Sequence, residues 1–182
     1  MKYAKTYLGN PIGSGSSRVV YRVDETKVLK LAKNVKGVAQ NNAETDWYND
    51  SYFSGILANV IDFDEDNHYW VEMELARKVK KSDFKRLWNI NHNDMYYYLH
   101  NKYAENNPYK RMMKYGMDDK IREQLDESDE INNLVDFMFQ TDSPPGDLLK
   151  PNSWGLVVRE GYEFLVLVDF GLTSEIYNSY YS

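Results

Sequence analysis

The chain is 182 residues long, 42% apolar and 27% charged, proportions that suit one domain, or one domain of two small lobes, and nothing larger. A net charge of −6 disfavours non-specific binding to nucleic acid or to an anionic membrane, and the lack of cysteine excludes disulfides, thiolate metal sites and cysteine nucleophiles together. Met1-Lys2-Tyr3-Ala4-Lys5 lacks the apolar core of a signal peptide and no apolar run approaches the roughly 20 residues of a membrane span, so a cytoplasmic location is expected.

From Tyr3 to Arg22 the pattern predicts a hairpin that turns at Gly13-Ser14-Gly15-Ser16-Ser17 and closes through Arg18-Val19-Val20-Tyr21-Arg22-Val23. Backbone N–H groups in such a turn can cradle a phosphate, although a Gly-x-Gly is more often a plain hairpin turn. A strand follows where the dinucleotide-binding motif would open a helix, which argues against that motif. After a turn at Asp24-Glu25-Thr26, Lys27 to Ala32 alternates with period two, so Val28, Lys30 and Ala32 share one face and Leu29 and Leu31 the other. Taken alone, Lys30 reads as a surface lysine on an edge strand. A helix is predicted from Val38 to about Ser54, closed by Gly55, and Glu44 shares a stripe with Trp47, Tyr48 and Ser51. A carboxylate among aromatic groups needs a cation, because burying it unpaired costs several kcal/mol.

Asn59 to Asp64, a turn at Glu65-Asp66-Asn67 and His68 to Glu74 predict another hairpin. The basic cluster Arg77-Lys78-Val79-Lys80-Lys81 and Lys85-Arg86 reads as the solvated approach to a helix rather than as an anion-binding patch. That helix is expected to start at Ser82 and to run to about Lys102, on the spacing of Phe84, Leu87, Trp88, Met95, Tyr98 and Leu99. Another is expected between Pro108 and Gly116, and one more after Ser128-Asp129-Glu130, with Ile131, Leu134, Val135 and Met138 on one face. His68, His92 and His100 are scattered and lack metal-ligand spacing. Asp147 and Asn152 fall in a loop, the runs Leu156-Val157-Val158 and Tyr162 to Val168 form a hairpin about Arg159-Glu160-Gly161, and Asp169 ends it. Oxygen-bearing side chains brought together in this way suit a hard cation such as Mg²⁺. Tyr177, Tyr180 and Tyr181 are expected to pack the terminus.

Asp147-Leu148-x-x-x-Asn152 resembles the D-L-x-x-x-N part of the protein-kinase catalytic loop, and Asp169-Phe170-Gly171 resembles the kinase D-F-G. Their order and the hairpin between them make the pair far more specific than either motif. Gly13, Gly15 and Val20 resemble the kinase glycine-rich loop, with Arg18 in place of its third glycine, and the strand carrying Lys30 resembles V-A-I-K. The resemblance implies an α+β, protein kinase-like fold: a β-rich nucleotide-binding lobe over residues 1–76 and a reduced helical lobe over residues 77–182 that carries the β-hairpin.

It further implies ATP and Mg²⁺ as cofactors, bound through Gly13, Ser14, Gly15, Val20, Val28, Lys30, Met73, Glu74 and Ala76. Glu44 orients Lys30, Asp147 is the catalytic acceptor of a hydroxyl proton, and Asn152 and Asp169 hold metal. Pro145-Gly146 stands where protein kinases have His-Arg, and Leu149 where many have a lysine; Gly-Asp is more similar to the small-molecule and atypical kinases. Only eleven residues follow Gly171, so no activation segment and no peptide-docking helices are expected. The expected activity is phosphoryl transfer to a hydroxyl on a protein (Ser/Thr) or a small molecule. The alternative is a pseudokinase that engages a partner. A protein partner that completes the reduced lobe is a further expectation, whereas membrane and nucleic acid are not expected partners.

Overall fold

The computed structural model describes residues 9–49, 51–106 and 114–180. Strands β1 (Pro11–Ser14), β2 (Arg18–Arg22), β3 (Lys27–Ala32), β4 (Val60–Phe63) and β5 (Trp70–Glu74) build one antiparallel sheet in the order β1-β2-β3-β5-β4. The centre of that sheet belongs to β3, with Lys30 opposite Val20 on one side and Val71 on the other. Both of its faces are covered. Leu29 and Leu31 pack with Trp70 on one face, while Val28 joins the main core on the other. Period two then carries Lys30 to the Val28 face, where it is buried; the surface-lysine reading fails because the strand is not at an edge.

Helix α1 (Val35–Asn49) packs on this sheet. It begins before the predicted Val38 because the Asn34 side chain accepts the N–H groups of Lys36 and Gly37, at 3.1 and 3.2 Å, and so caps the helix. It ends at Asn49, short of the expected Ser54, and a 3₁₀ turn follows at Ser51–Phe53. Its buried face is polar, with Gln40, Asn41, Glu44 and Thr45 all covered, while Trp47 meets Phe53 and Phe137 edge to face.

A second antiparallel sheet joins β6 (Arg77–Lys78), β7 (Trp154–Arg159) and β8 (Tyr162–Leu167) in that order. Glu160 and Gly161, with φ of 52° and 84°, make the two-residue turn between β7 and β8, the hairpin geometry that requires positive φ at both positions. Further helices are α2 (Lys81–Trp88), which packs on β8, α3 (His92–Asn106), α4 (Asp119–Asp126), α5 (Asp129–Gln140), the single turn α6 (Pro145–Leu148) and α7 (Ser174–Tyr180), which packs on α1.

The one helix expected from Ser82 to Lys102 is two, because Asn89 takes a left-handed conformation at φ 56° and closes α2. Nor does Ser82 cap α2. The Asp83 carboxylate reaches back to the Lys80 N–H at 2.9 Å instead. Ser128 caps α5 as expected, accepting the Ile131 N–H at 3.3 Å. Most of the helix predicted after Pro108 lies outside the described residues, and Lys114 to Met117 are not helical. The expected packing of the terminal tyrosines is not observed for Tyr177 and Tyr180, which are exposed; Tyr181 lies outside the described residues.

One core runs through both sheets and the helices, from Val28, Leu57 and Met73 to Phe84, Leu99, Leu134, Phe137, Trp154 and Phe170. Leu57 bridges Leu167 in parallel register, and backbone hydrogen bonds from Ala58 to Leu167 (2.9 Å) and from Leu167 to Ile56 (2.7 Å) tie the approach to β4 onto β8. Among the described residues, no helix is long and apolar enough to cross a membrane.

Candidate functional site

Between the two sheets lies a cleft of about 730 Å³, within the range of small-molecule sites. The β1–β2 turn, the inner face of β2 and β3, the segment from β5 to β6, and the chain on either side of the β7–β8 hairpin form its walls. All nine residues predicted to bind the nucleotide line it: Gly13, Ser14, Gly15, Val20, Val28, Lys30, Met73, Glu74 and Ala76. Asn152 and Asp169 line it as well. Asp147 does not; it lines an adjoining pocket of about 90 Å³ that shares Asp169 and Leu172 with the cleft.

Lys30 donates to both carboxylate oxygens of Glu44 at 2.8 Å and to the Val168 carbonyl. Glu44 is fully buried, with 0% of its surface exposed. It also accepts from Arg18 at 2.8 Å and from the Phe170 N–H at 3.3 Å. One buried carboxylate thus holds the central strand, the start of β2 and the Asp169-Phe170-Gly171 turn against α1. Gly171 is required at that approach, since a Cβ there would overlap the Gln40 carbonyl oxygen and come within 2.9 Å of the Glu44 side chain. Gly155 plays the same part on the opposite wall, where a Cβ would collide with Ala76 and Val168.

Arg18 is a charged residue of the cleft that motif matching misses. It stands where the glycine-rich pattern has its third glycine, yet its guanidinium is buried in the cleft and ion-pairs with Glu44 and with Asp169. A further bond goes to the Asn41 side chain at 3.3 Å. Strand periodicity is the signal that finds it: Val20 is expected in the pocket, and Arg18, two positions earlier on the same strand, shares its face. Trp154, Ala58 and Leu172 also line the cleft and carry no motif.

Electrostatics follow from this crowding. Burial lowers the pKa of Lys30, Glu44 opposes that effect and Arg18 adds to it, leaving Lys30 below the ordinary lysine value. For Asp169, burial pushes the carboxyl up, but Arg18 and Lys30 outweigh it and hold the pKa below the ordinary aspartate value. Its side chain is 57% exposed, so water screens part of that attraction.

Asp147 sits on α6, where Pro145 starts the turn, and it ion-pairs with Lys150. The segment is pinned by Ser153, which donates to the Asp147 carbonyl at 2.9 Å, and by the Trp154 indole, which donates to the Leu148 carbonyl at 2.6 Å. The Glu74 carboxylate is held by Arg159 and accepts from the Asn59 N–H. Of the predicted basic cluster, Arg77 and Arg86 are bound to Glu163, and Arg86 also to Asp83 at 2.9 Å.

No family model matches the chain, and no curated protein matches it. A solved structure, the streptomycin-ATP-APH(2")-IIa ternary complex, is similar over 89% of this chain at 14% identity, with a TM-score of 0.39. The chain spans 64% of that protein's length. So distant a likeness carries no weight for the reaction, which has to be read from the residues of the cleft.

The donor chemistry of the cleft can be tested against Mg·ATP. The Asp169 carboxylate and the Asn152 amide are hard oxygen donors on one rim, and Mg²⁺ is commonly held by one or two protein oxygens together with substrate phosphates and water. Val20, Val28, Ala58, Met73 and Trp154 make an apolar slot of the kind that takes a planar ring, and Lys30 with the Gly13–Ser17 turn supplies donors for phosphates. The residues fit the group.

Proposed function

We propose that the chain is a kinase-like phosphotransferase that binds Mg·ATP in this cleft and passes the γ-phosphoryl group to a hydroxyl of a protein (Ser/Thr) or a small molecule. The observation that carries the reading is the Lys30–Glu44 ion pair, made through both carboxylate oxygens at 2.8 Å, on the wall of a cleft that also contains the Gly-Ser turn, Asn152 and Asp169.

Bound Mg·ATP supplies the transferable phosphoryl group and the divalent charge that offsets developing negative charge. Lys30, held in one direction by Glu44, binds phosphate oxygens, and the Gly13–Ser17 backbone covers them. Asp169 and Asn152 are the oxygen ligands for the metal. Asp147, beside its small pocket, accepts the proton of the acceptor hydroxyl once Lys150 moves off its carboxylate.

Purified protein incubated with γ-labelled ATP and Mg²⁺, alone and with cell extract, tests this. Label is expected on a protein or a small molecule, and Asp147→Asn and Asp169→Ala should each abolish the transfer. Transfer that survives both substitutions would assign the activity to a contaminant.

A second reading, a pseudokinase, is favoured by the ion pairs that occupy Asp169 and Asp147. It predicts nucleotide binding, or partner binding, with no transfer to any acceptor.

A further inference from the structure

Lys30, Glu44 and Asp169 form a triad of net charge −1; Arg18 makes it a neutral quartet. Its guanidinium reaches both carboxylates, through Nη1 to Glu44 at 2.8 Å and through Nη2 to Asp169. The same residue closes the Gly-Ser turn, because the Gly15 N–H donates to the Arg18 carbonyl at 2.9 Å. Ser17, its neighbour, is anchored to the Gln40 side chain at 2.7 Å. The root of the arginine is therefore fixed by the turn and by α1, and its head lies inside the cleft at the edge where the phosphates of a nucleotide must pass.

We propose that Arg18 is a phosphate-binding residue, held on Asp169 before nucleotide binds and transferred to the nucleotide's phosphates when the metal takes that carboxylate. The inference rests on the nucleotide-binding reading of the cleft. Its physical basis is an exchange of partners. A metal on Asp169 competes directly with Nη2 for the carboxylate, and a guanidinium that loses an anion in a partly buried site must find another. Phosphate oxygens, which match its planar fork, are the anions the cleft would then contain. Glu44 and Asn41 both hold Nη1, so the guanidinium keeps that anchor while Nη2 changes partner. Without metal the Asp169 carboxylate keeps Nη2, so the contribution of Arg18 to nucleotide binding depends on the metal.

The test compares ATP with adenosine by calorimetry, in Mg²⁺ and in chelator, for the wild type, Arg18→Ala and Arg18→Lys. In Arg18→Ala the affinity for ATP is expected to fall at least about tenfold in Mg²⁺ and much less in chelator, with adenosine affinity unchanged, as loss of a charged hydrogen bond that forms only after the exchange requires; Arg18→Lys should recover part of the loss in Mg²⁺, and an equal loss in chelator would overturn the exchange. Equal loss for ATP and adenosine would make Arg18 a scaffold of the cleft and overturn the inference. Tighter ATP binding in Arg18→Ala would make it an inhibitory plug and overturn it equally. A wild type that binds ATP but is matched by Arg18→Ala refutes the role of Arg18 alone, whereas a wild type that binds neither ligand refutes the nucleotide reading and this inference with it.

Discussion

Glu44→Gln is the substitution whose consequence the structure fixes most tightly. The amide keeps the shape of the side chain and removes the charge, leaving Lys30 and Arg18 buried without the carboxylate they share. Deleting one partner of a buried ion pair costs about 3–5 kcal/mol. Lys30 retains the Val168 carbonyl, and Arg18 retains Asp169 and Asn41, so the low end, about 3 kcal/mol, applies. In a chain of this size each kcal/mol moves the melting temperature by roughly 2–4 °C, which gives a fall of roughly 6–12 °C. Thermal unfolding followed by circular dichroism measures it directly. The control is Glu163→Gln, which removes a carboxylate shared by two half-exposed arginines, Arg77 and Arg86; pairs of that kind contribute about 1 kcal/mol or less. If Glu44→Gln melts no lower than Glu163→Gln, the buried carboxylate neither holds the cleft together nor anchors Lys30.

Other expectations follow from single sites. Gly171→Ala places a Cβ against the backbone of α1 and should cost about 1–3 kcal/mol, as overpacking does; Gly116→Ala, with nothing within 4 Å of its Cβ, should stay within about 0.5 kcal/mol in the same urea titration. The lowered pKa of Asp169 means that its pairing stabilises the fold above the ordinary value of 3.8 and is lost as the pH falls below that value through the folded pKa. The stability gap between wild type and Asp169→Asn should therefore narrow on acidification, and a gap that stays constant contradicts the pairing. Burial and the hydrogen bond to Asp126 push the Tyr98 hydroxyl up to about 12 from an ordinary 10.0. Because the folded state favours the neutral phenol, this contribution is complete below 10.0 and disappears as the pH rises toward 12. Tyr98→Phe should remove a step at about pH 12 from a spectroscopic tyrosine titration and lose about 1 kcal/mol at neutral pH.

Legibility in the sequence tracks the range of the interaction. Period two gives Lys30 its face but not its depth, since its own neighbours read as an edge strand, and the aromatic stripe gives Glu44 its need for a cation; the resemblance is what pairs the two, and the structure brings them together. The β7–β8 hairpin is equally local, since Glu160-Gly161 tolerates the positive φ its turn demands. What fails depends on single backbone conformations. The apolar spacing from Phe84 to Leu99 continues across Asn89, whose left-handed φ breaks the helix without disturbing the pattern. Gly37 lies inside α1, ahead of the predicted start at Val38, and only glycine fits there because a Cβ would strike the Ser17 carbonyl oxygen. Arg18 is obscured for another reason: set against a motif it is a mismatch, and only the face of the strand reveals what the side chain does.

That mismatch bears on why the cleft is charged at all. Buried ion pairs are poor stabilisers, because desolvating two charges offsets most of their attraction, and well-packed apolar groups often do as well or better. Lys30, Arg18 and Glu44 are buried around Asp169 in a chain that has apolar side chains available on the same strands, Val20 and Val28 among them. Stability alone gives no reason to keep four charges there. A site that must accept a triphosphate gives one: the cations have to be in place beforehand, and the carboxylates keep them aimed until the phosphates arrive. Replacing Lys30 and Glu44 together by Met and Leu should accordingly restore much of the stability lost in Glu44→Gln while abolishing ATP binding. A double variant that both melts like wild type and still binds ATP would show that the charges serve some other end.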